Sequence, residues 1–277
     1  MPTTAATDPP PKNAGPGAAR SQVHNYATDI ECQREVLRRK PALRLLYAHW
    51  YAQCVAALSQ HRPTIEIGCG SGNFKAFYPE LIATDVVLDT GADLVADGMV
   101  LPIGNGKAGN LVAFDVIHHL QRPLDFLRQA IVALRPGGRL VLCEPAMTPW
   151  GRVLYRNFHH EPFDLSWPLF DLDGRPPDPD PTHLFTNQGI PEILFWRQRA
   201  RTLAALDRCK LVEARKFGFL LYPLSGGYSA HNLLPSLGLP ALLKAEDWLM
   251  RPFARWLTGI RMLVVLEKMQ GTEARSL

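Results

Sequence analysis

The sequence predicts an α/β fold built on a doubly wound, mostly parallel sheet, and three observations predict it. From Thr64 onward, short apolar runs of strand length alternate with segments of helical period. Three of those runs end on an acid: Asp85, Asp97 and Asp115. The first run breaks into a glycine-rich turn, Gly68-Cys69-Gly70-Ser71-Gly72, and a helix start follows it. In an open sheet of this kind ligands lie beyond the carboxyl ends of the strands, so the turn and the acids are expected along one edge.

The elements follow in order. Residues 1–20 are Pro, Ala, Gly, Thr and Asp with almost nothing to bury, which reads as a disordered tail. Residues 21–60 hold N-terminal helices; the helical period runs from Asp29 to Leu58, and Pro41 splits it in two. The core is expected over 61–145. Its first strand is Thr64 to Ile67, and a short helix from Asn73 to Tyr78 is closed by Pro79. Further strands are expected at Leu81–Thr84, Asp93–Ala96 and Asn110–Phe114. A helix from Pro123 to Leu134 stops at Arg135-Pro136-Gly137-Gly138, a tight turn that feeds a fifth strand, Arg139 to Cys143.

Residues 146–207 interrupt the rhythm with a long irregular insert, rich in Pro and Asp from Asp171 to Pro181, and a helix opens at Pro191 and runs to Leu206. Residues 208–268 carry two terminal strands, Leu211–Leu221 and Arg261–Glu267. Between these strands lies an insert over 223–260 that is helical from Asn232 to Thr258, and a short tail occupies 269–277. Long insertions in a compact domain are usually binding elements. The two inserts and the N-terminal helices are therefore expected to cap the strand ends.

Composition narrows the function. Hydrophobic residues at 47% and charged residues at 20% describe a chain that buries a real core. The net charge of +4 is small, and the basic runs, Arg38-Arg39-Lys40 and Arg197 to Arg201, read as solvated helix faces; nucleic acid is not an expected partner. The five cysteines are widely spaced and form no C-x-x-C pair, as reduced thiols of a cytoplasmic protein do. Cys69 inside the turn reads as a small filler, not a nucleophile. No apolar run approaches the ~18 residues of a membrane span.

The turn discriminates between ligands. Glycine tolerates positive φ and has no Cβ, so a nucleoside-bearing molecule can lie against bare backbone. A dinucleotide fingerprint, G-x-G-x-x-G/A, needs its third small residue where Asn73 stands. The pattern present is E-x-G-x-G-x-G, from Glu66 to Gly72. It resembles the first motif of the class I S-adenosyl-L-methionine (SAM)-dependent methyltransferases. In support, Asp115-Val116-Ile117-His118-His119-Leu120, Leu134 to Leu140 and Glu144-Pro145 fall in family order between expected elements. The resemblance covers Thr64 to Pro145 and the terminal strand pair. It implies a Rossmann-like sheet of seven strands with helical cap insertions.

It further implies that SAM is the methyl donor, leaving as S-adenosyl-L-homocysteine. Glu66, Gly68, Cys69, Gly70 and Gly72 would form the donor turn. Asp85 would take the ribose hydroxyls, with Asp89 as the alternative acid, and Asp97 the adenine amine, with Gly98 and Met99 backing the ring. Asp115 would stand near the sulfonium. Each acid also has a purely structural reading, as a turn or loop cap.

Methyl transfer to a hydroxyl needs positioning and a base. His118 and His119 follow the fourth strand, and His159-His160-Glu161 opens the insert. His118, His119, His160 and Glu161 are the catalytic candidates, and their histidines favour O-methylation. A backbone role for His118 and His119 is the alternative. No H-E-x-x-H helix or similar spacing joins these residues, so no metal is expected. Tyr47, Trp50 and Tyr51 either close over the donor or form core.

The Leu- and Trp-rich second insert, with Arg251 and Arg255, fits an apolar pocket for a small or lipid-like acceptor. Contact of this insert with a membrane surface is the lesser reading. Two rival functions stand beside the methyltransferase: a SAM-binding regulatory or scaffold protein without turnover, and a nicotinamide-dependent oxidoreductase.

Overall fold

The computed structural model describes residues 29–87, 90–159, 161–171, 185–250 and 253–270. The N-terminal tail expected over 1–20 and most of the C-terminal one lie outside them. Seven strands form one sheet: β1 (Thr64–Ile67), β2 (Ile82–Asp85), β3 (Leu94–Val95), β4 (Ala108–Phe114), β5 (Leu134–Pro145), β6 (Cys209–Phe217) and β7 (Arg261–Lys268). Their spatial order is β3-β2-β1-β4-β5-β7-β6. The pairs among β1 to β5 are parallel, while β7 runs antiparallel to both β5 and β6.

Helices cover both faces, and the strand sequences say why. Every residue of β1 and β4 is buried, the mark of strands covered on both sides. Alternate residues therefore feed two separate cores. Ile65, Ile67, Leu111, Ala113, Leu140, Leu142, Val264 and Leu266 face one cluster, together with Phe126 and Leu127 of α4 (Pro123–Ala133). Val112, Phe114, Val141, Cys143, Leu263 and Val265 face the other, against Leu43, Leu46 and Trp50 of α2 (Pro41–Ala56).

A buried asparagine fastens the approach to β1. Asn110 Oδ1 accepts from Ser59 N and Oγ, both at 2.8 Å, and Nδ2 donates to the carbonyl of His61 at 2.8 Å.

The N-terminal helix does break at Pro41, into α1 (29–39) and α2. Helix α3 (Asn73–Phe77) is short, as the following proline requires. Several expectations need correction. Strand β3 has only two residues, because the exposed Asp93 carboxylate folds back to accept from Ala83 N at 2.8 Å and to pair with Lys75. Strand β5 starts at Leu134, and the glycine pair after Pro136 is an irregularity within the strand, where the register with β4 shifts.

The insert after β5 is not irregular throughout. It contains α5 (Pro149–Phe158), capped by Thr148, whose Oγ1 accepts from Gly151 N at 3.0 Å. Lastly, the helix after Ile190 is interrupted. A short turn, α6 (Ile190–Glu192), passes into a π-helical stretch at Ile193–Arg197 before α7 (Arg199–Ala204). Thr202 Oγ1 donates to the Leu194 carbonyl at 2.7 Å across the break.

Strand β6 also departs from the expected Leu211–Leu221: it ends at Phe217, where Gly218 takes φ +68°, and α8 (Leu221–Leu224) follows. The second insert adds α9 (Leu239–Leu249) and α10 (Phe253–Thr258). Helix α9 packs on α2, and α10 packs on α5 and β6. The pairing of Phe217 with Arg261 closes this excursion at its base.

Candidate active site at the strand ends

The glycine turn sits at the end of β1. Gly68, Gly70 and Gly72 hold φ of 70°, 50° and 75°, a region closed to most side chains. A Cβ at Gly68 would stand 2.8 Å from Val116 Cγ2, whereas a Cβ at Gly70 would meet nothing within 4 Å. The turn is thus braced below and bare above. Cys69 N donates to the Thr84 carbonyl at 2.9 Å, and Gly70 N donates to Asp85 Oδ2 at 2.8 Å.

Asp85 is only 1% exposed, and its Oδ1 also accepts from Val87 N at 3.1 Å. Burial raises its pKa, against the backbone donors that lower it. Its rival, Asp89, lies outside the described residues. Glu66 is 2% exposed, and its Oε2 has no hydrogen-bond partner among the described residues. Burial, with the Asp85 charge adding, pushes its pKa up to about 8, so it carries a proton at neutral pH. Burial likewise holds Cys69 as a thiol, at about 12.

Asp97 is exposed just beyond β3, and its Oδ1 accepts from Met99 N at 2.7 Å. A Cβ at Gly98 would lie 3.5 Å from Leu120 and 3.6 Å from Ile67, which places this loop against the end of β1. Asp115 follows β4 with φ 58° and meets Arg261, whose Nη1 lies 2.7 Å from Oδ1. Tyr47, Trp50 and Tyr51 are core: Tyr51 stacks on Phe74 at 4.6 Å, and all three rings are buried.

A second cluster gathers beside the ends of β4 and β5. Glu144 Oε1 accepts from Val116 N and Ile117 N, both at 2.9 Å, and Oε2 lies 2.6 Å from His118 Nδ1. His118 Nε2 is 3.7 Å from Glu161 Oε2, and His119 Nε2 is 3.7 Å from Glu161 Oε1. Burial pulls the His118 pKa down, but the Glu144 carboxylate outweighs it and the net shift is upward. His119 moves the other way, to about 4, through burial and the charge of its neighbour. Gln188 Nε2 donates to Glu161. The structure therefore brings His118, His119 and Glu161 together. His160 lies outside the described residues.

Residues 38–175 match the family described as a methyltransferase domain. The chain belongs to the class I SAM-dependent methyltransferases. The fold agrees. A SAM-dependent methyltransferase of Thermotoga maritima, described as a possible histamine N-methyltransferase, superposes with a TM-score of 0.51 at 13% identity. That match covers 90% of this methyltransferase and 100% of the other chain. A SAM-dependent methyltransferase from Archaeoglobus fulgidus matches at 14% identity over 81% of this chain and 94% of its own, with a TM-score of 0.49. No curated protein matches the methyltransferase in sequence. The nicotinamide alternative falls with this assignment.

Three residues around the methyltransferase's glycine turn and strand ends were given no site role from sequence. Glu144 had a signal, since it is a lone acid closing an apolar strand, as Asp115 is. Arg261 had one too, as the cation opening the apolar run of β7. Arg34 had none: from α1 its Nε donates to the Ser71 carbonyl at 3.0 Å and its Nη2 to the Thr90 carbonyl.

Proposed function

We propose that this methyltransferase seats SAM on the Gly68–Gly72 turn and passes its methyl group to an oxygen of a small or lipid-like acceptor. The observation that carries the reading is the bare backbone at Gly70, together with the buried Glu66 carboxyl just before the turn, whose Oε2 has no hydrogen-bond partner among the described residues. Both are features a donor nucleoside can use, and neither is needed to hold the sheet. Bound SAM supplies a methyl group activated on a sulfonium, and S-adenosyl-L-homocysteine remains after transfer.

The residues divide the work. Asp85 holds the turn in shape through Gly70 N, and a carboxylate so enclosed has lone pairs left for a ribose hydroxyl. Asp97, Gly98 and Met99 offer an acid and an apolar shelf to the adenine. The Asp115 charge is balanced by Arg261, so its part is to fix the backbone after β4. At the acceptor side, His119 is neutral at pH 7 and stands by the Glu161 carboxylate, an arrangement able to receive a hydroxyl proton. His118, tied to Glu144, positions its neighbour.

The lipid-like limit of the acceptor class draws on Leu233, Leu237, Trp248 and Trp256, large apolar side chains exposed on the second insert. Among the described residues no helix is long and apolar enough to cross a membrane. Single-turnover transfer from methyl-labelled SAM, tried on matched hydroxyl and amine acceptors, tests the proposal. Label on oxygen, lost in His119→Ala, is the expected result. Label on nitrogen or carbon only would overturn the oxygen assignment. Tight binding of NAD with none of S-adenosyl-L-homocysteine would overturn the donor site.

A further inference from the structure

The cluster around Glu161 poses an electrostatic problem. Glu144 accepts two backbone N–H groups on Oε1 and turns Oε2 to His118 Nδ1 at 2.6 Å, a contact that, with the imidazole as donor, leaves the proton on Nδ1. The other ring nitrogen, Nε2, then turns toward Glu161 Oε2 at 3.7 Å. A neutral His118 would aim a lone pair at an anion there. His119 repeats the arrangement, with Nε2 3.7 Å from Glu161 Oε1, and the two imidazole centroids are 4.1 Å apart. Two imidazolium ions at that spacing repel strongly, so the three groups share room for one cation.

We infer that His118 Nε2, His119 Nε2 and the Glu161 carboxylate bind a single divalent transition-metal ion. Four arguments support it. The donor atoms of the three residues all lie within 4.8 Å of one another. Ligands about 2.0–2.2 Å from one ion stand roughly 3.4 Å apart in tetrahedral geometry, so the observed 3.7 Å separations close by small side-chain rotations. The outer partner is already in place: Glu144 fixes the tautomer and ring orientation of His118, as carboxylates behind metal-bound histidines do. Finally, the access is graded. The His118 side chain is 2% exposed, Glu161 18% and His119 43%, so the ion would be anchored inside and open to ligand exchange outside.

Two imidazoles and one carboxylate favour zinc, cobalt or ferrous ions over magnesium or calcium. Sequence spacing could not show such a site, because its ligands come from the turn after β4 and from the loop after α5. The ion's part in turnover rests on the proposed acceptor side: there it would bind the acceptor oxygen and make its proton easier to lose, with His119 holding the ion in place of receiving the proton itself. Its binding does not rest on that proposal.

The test uses the untagged, chelator-treated full chain. Titration with Co2+, read by its visible d–d bands, and with Zn2+, read by calorimetry, should show one equivalent bound. His119→Ala and Glu161→Gln, both at accessible positions, should each weaken binding about tenfold or more. Glu144→Gln should weaken it by about 10–100-fold without changing the stoichiometry. Melting curves and S-adenosyl-L-homocysteine calorimetry on the same samples report the fold and the donor site separately. A wild-type protein that binds the nucleoside but no stoichiometric metal overturns the inference, as does metal binding indifferent to both His119→Ala and Glu161→Gln. Metal binding without nucleoside binding would instead overturn the donor reading alone.

Discussion

Arg261 and Asp115 are 146 positions apart in sequence and meet at 2.7 Å behind the candidate site. Arg261 is buried at the start of β7, its guanidinium lying 4.9 Å from the Trp50 ring centre and 4.7 Å from that of Phe114. The pair joins the last strand to the loop after β4. Removing one member of a buried pair strands the other, which costs about 3–5 kcal/mol, and the partial exposure of Asp115 points to the lower end. Arg261→Met should therefore destabilise by roughly 3 kcal/mol in urea unfolding. Combining it with Asp115→Asn should cost less than the sum of the two single changes. Strict additivity would show that the charges are uncoupled.

Glu66 makes stability depend on pH in an unusual direction. Its pKa is about 8 in the folded chain, well above that of an unfolded glutamate, so between these values the native state holds a proton that the unfolded state has lost. This contribution is fully present below the unfolded value, and it is lost as pH rises through 8. The ligand-free wild type should thus lose up to a few kcal/mol, very roughly, from pH 5 to pH 8 relative to Glu66→Gln, which cannot ionise. Parallel urea curves at the two pH values make the comparison. Equal slopes for both proteins would mean that Glu66 titrates normally.

The turn glycines should respond differently to alanine. At Gly70 the only structural penalty is the positive φ, about 1–2 kcal/mol, but the new methyl occupies the open side of the turn. Gly70→Ala should fold and bind S-adenosyl-L-homocysteine poorly. Gly68→Ala adds a collision with Val116 to the same backbone strain, and should lower the melting temperature further. Calorimetric titration and thermal melts distinguish the two. Unaltered nucleoside affinity in Gly70→Ala would place the donor elsewhere.

Asn110 offers a control remote from the chemistry. Asn110→Ala leaves the amide of Ser59 and the carbonyl of His61 without their buried partner, at a cost of roughly 2–3 kcal/mol. Its nucleoside affinity, measured well below the melting temperature, should match the wild type. A loss of affinity would show that the approach to β1 is coupled to the turn.

The sheet was legible because its signals are local. A buried strand such as Asn110 to Phe114 is apolar on both faces, and a glycine turn or a lone acid marks its end. Thr148-Pro149 was equally local, an N-cap followed by a proline, yet it was passed over because the surrounding insert reads as loop. Other features were beyond sequence for a physical reason. The shortening of β3 depends on which way the Asp93 carboxylate turns, and the meeting of His118, His119 and Glu161 on how a long insert folds back. The pairing of Arg34 with the carbonyls of Ser71 and Thr90 similarly needs α1 to be placed before it can be seen.

The junction between Phe217 and Arg261 has a wider consequence. These residues are register partners on adjacent strands, so the polypeptide leaves the sheet and rejoins it at a single doorway. Whatever is spliced into that doorway leaves the ladder of β6 and β7 intact. Exchange of this one excursion for another would change the surface carried by α8 to α10 while the strands that hold the glycine turn stay as they are.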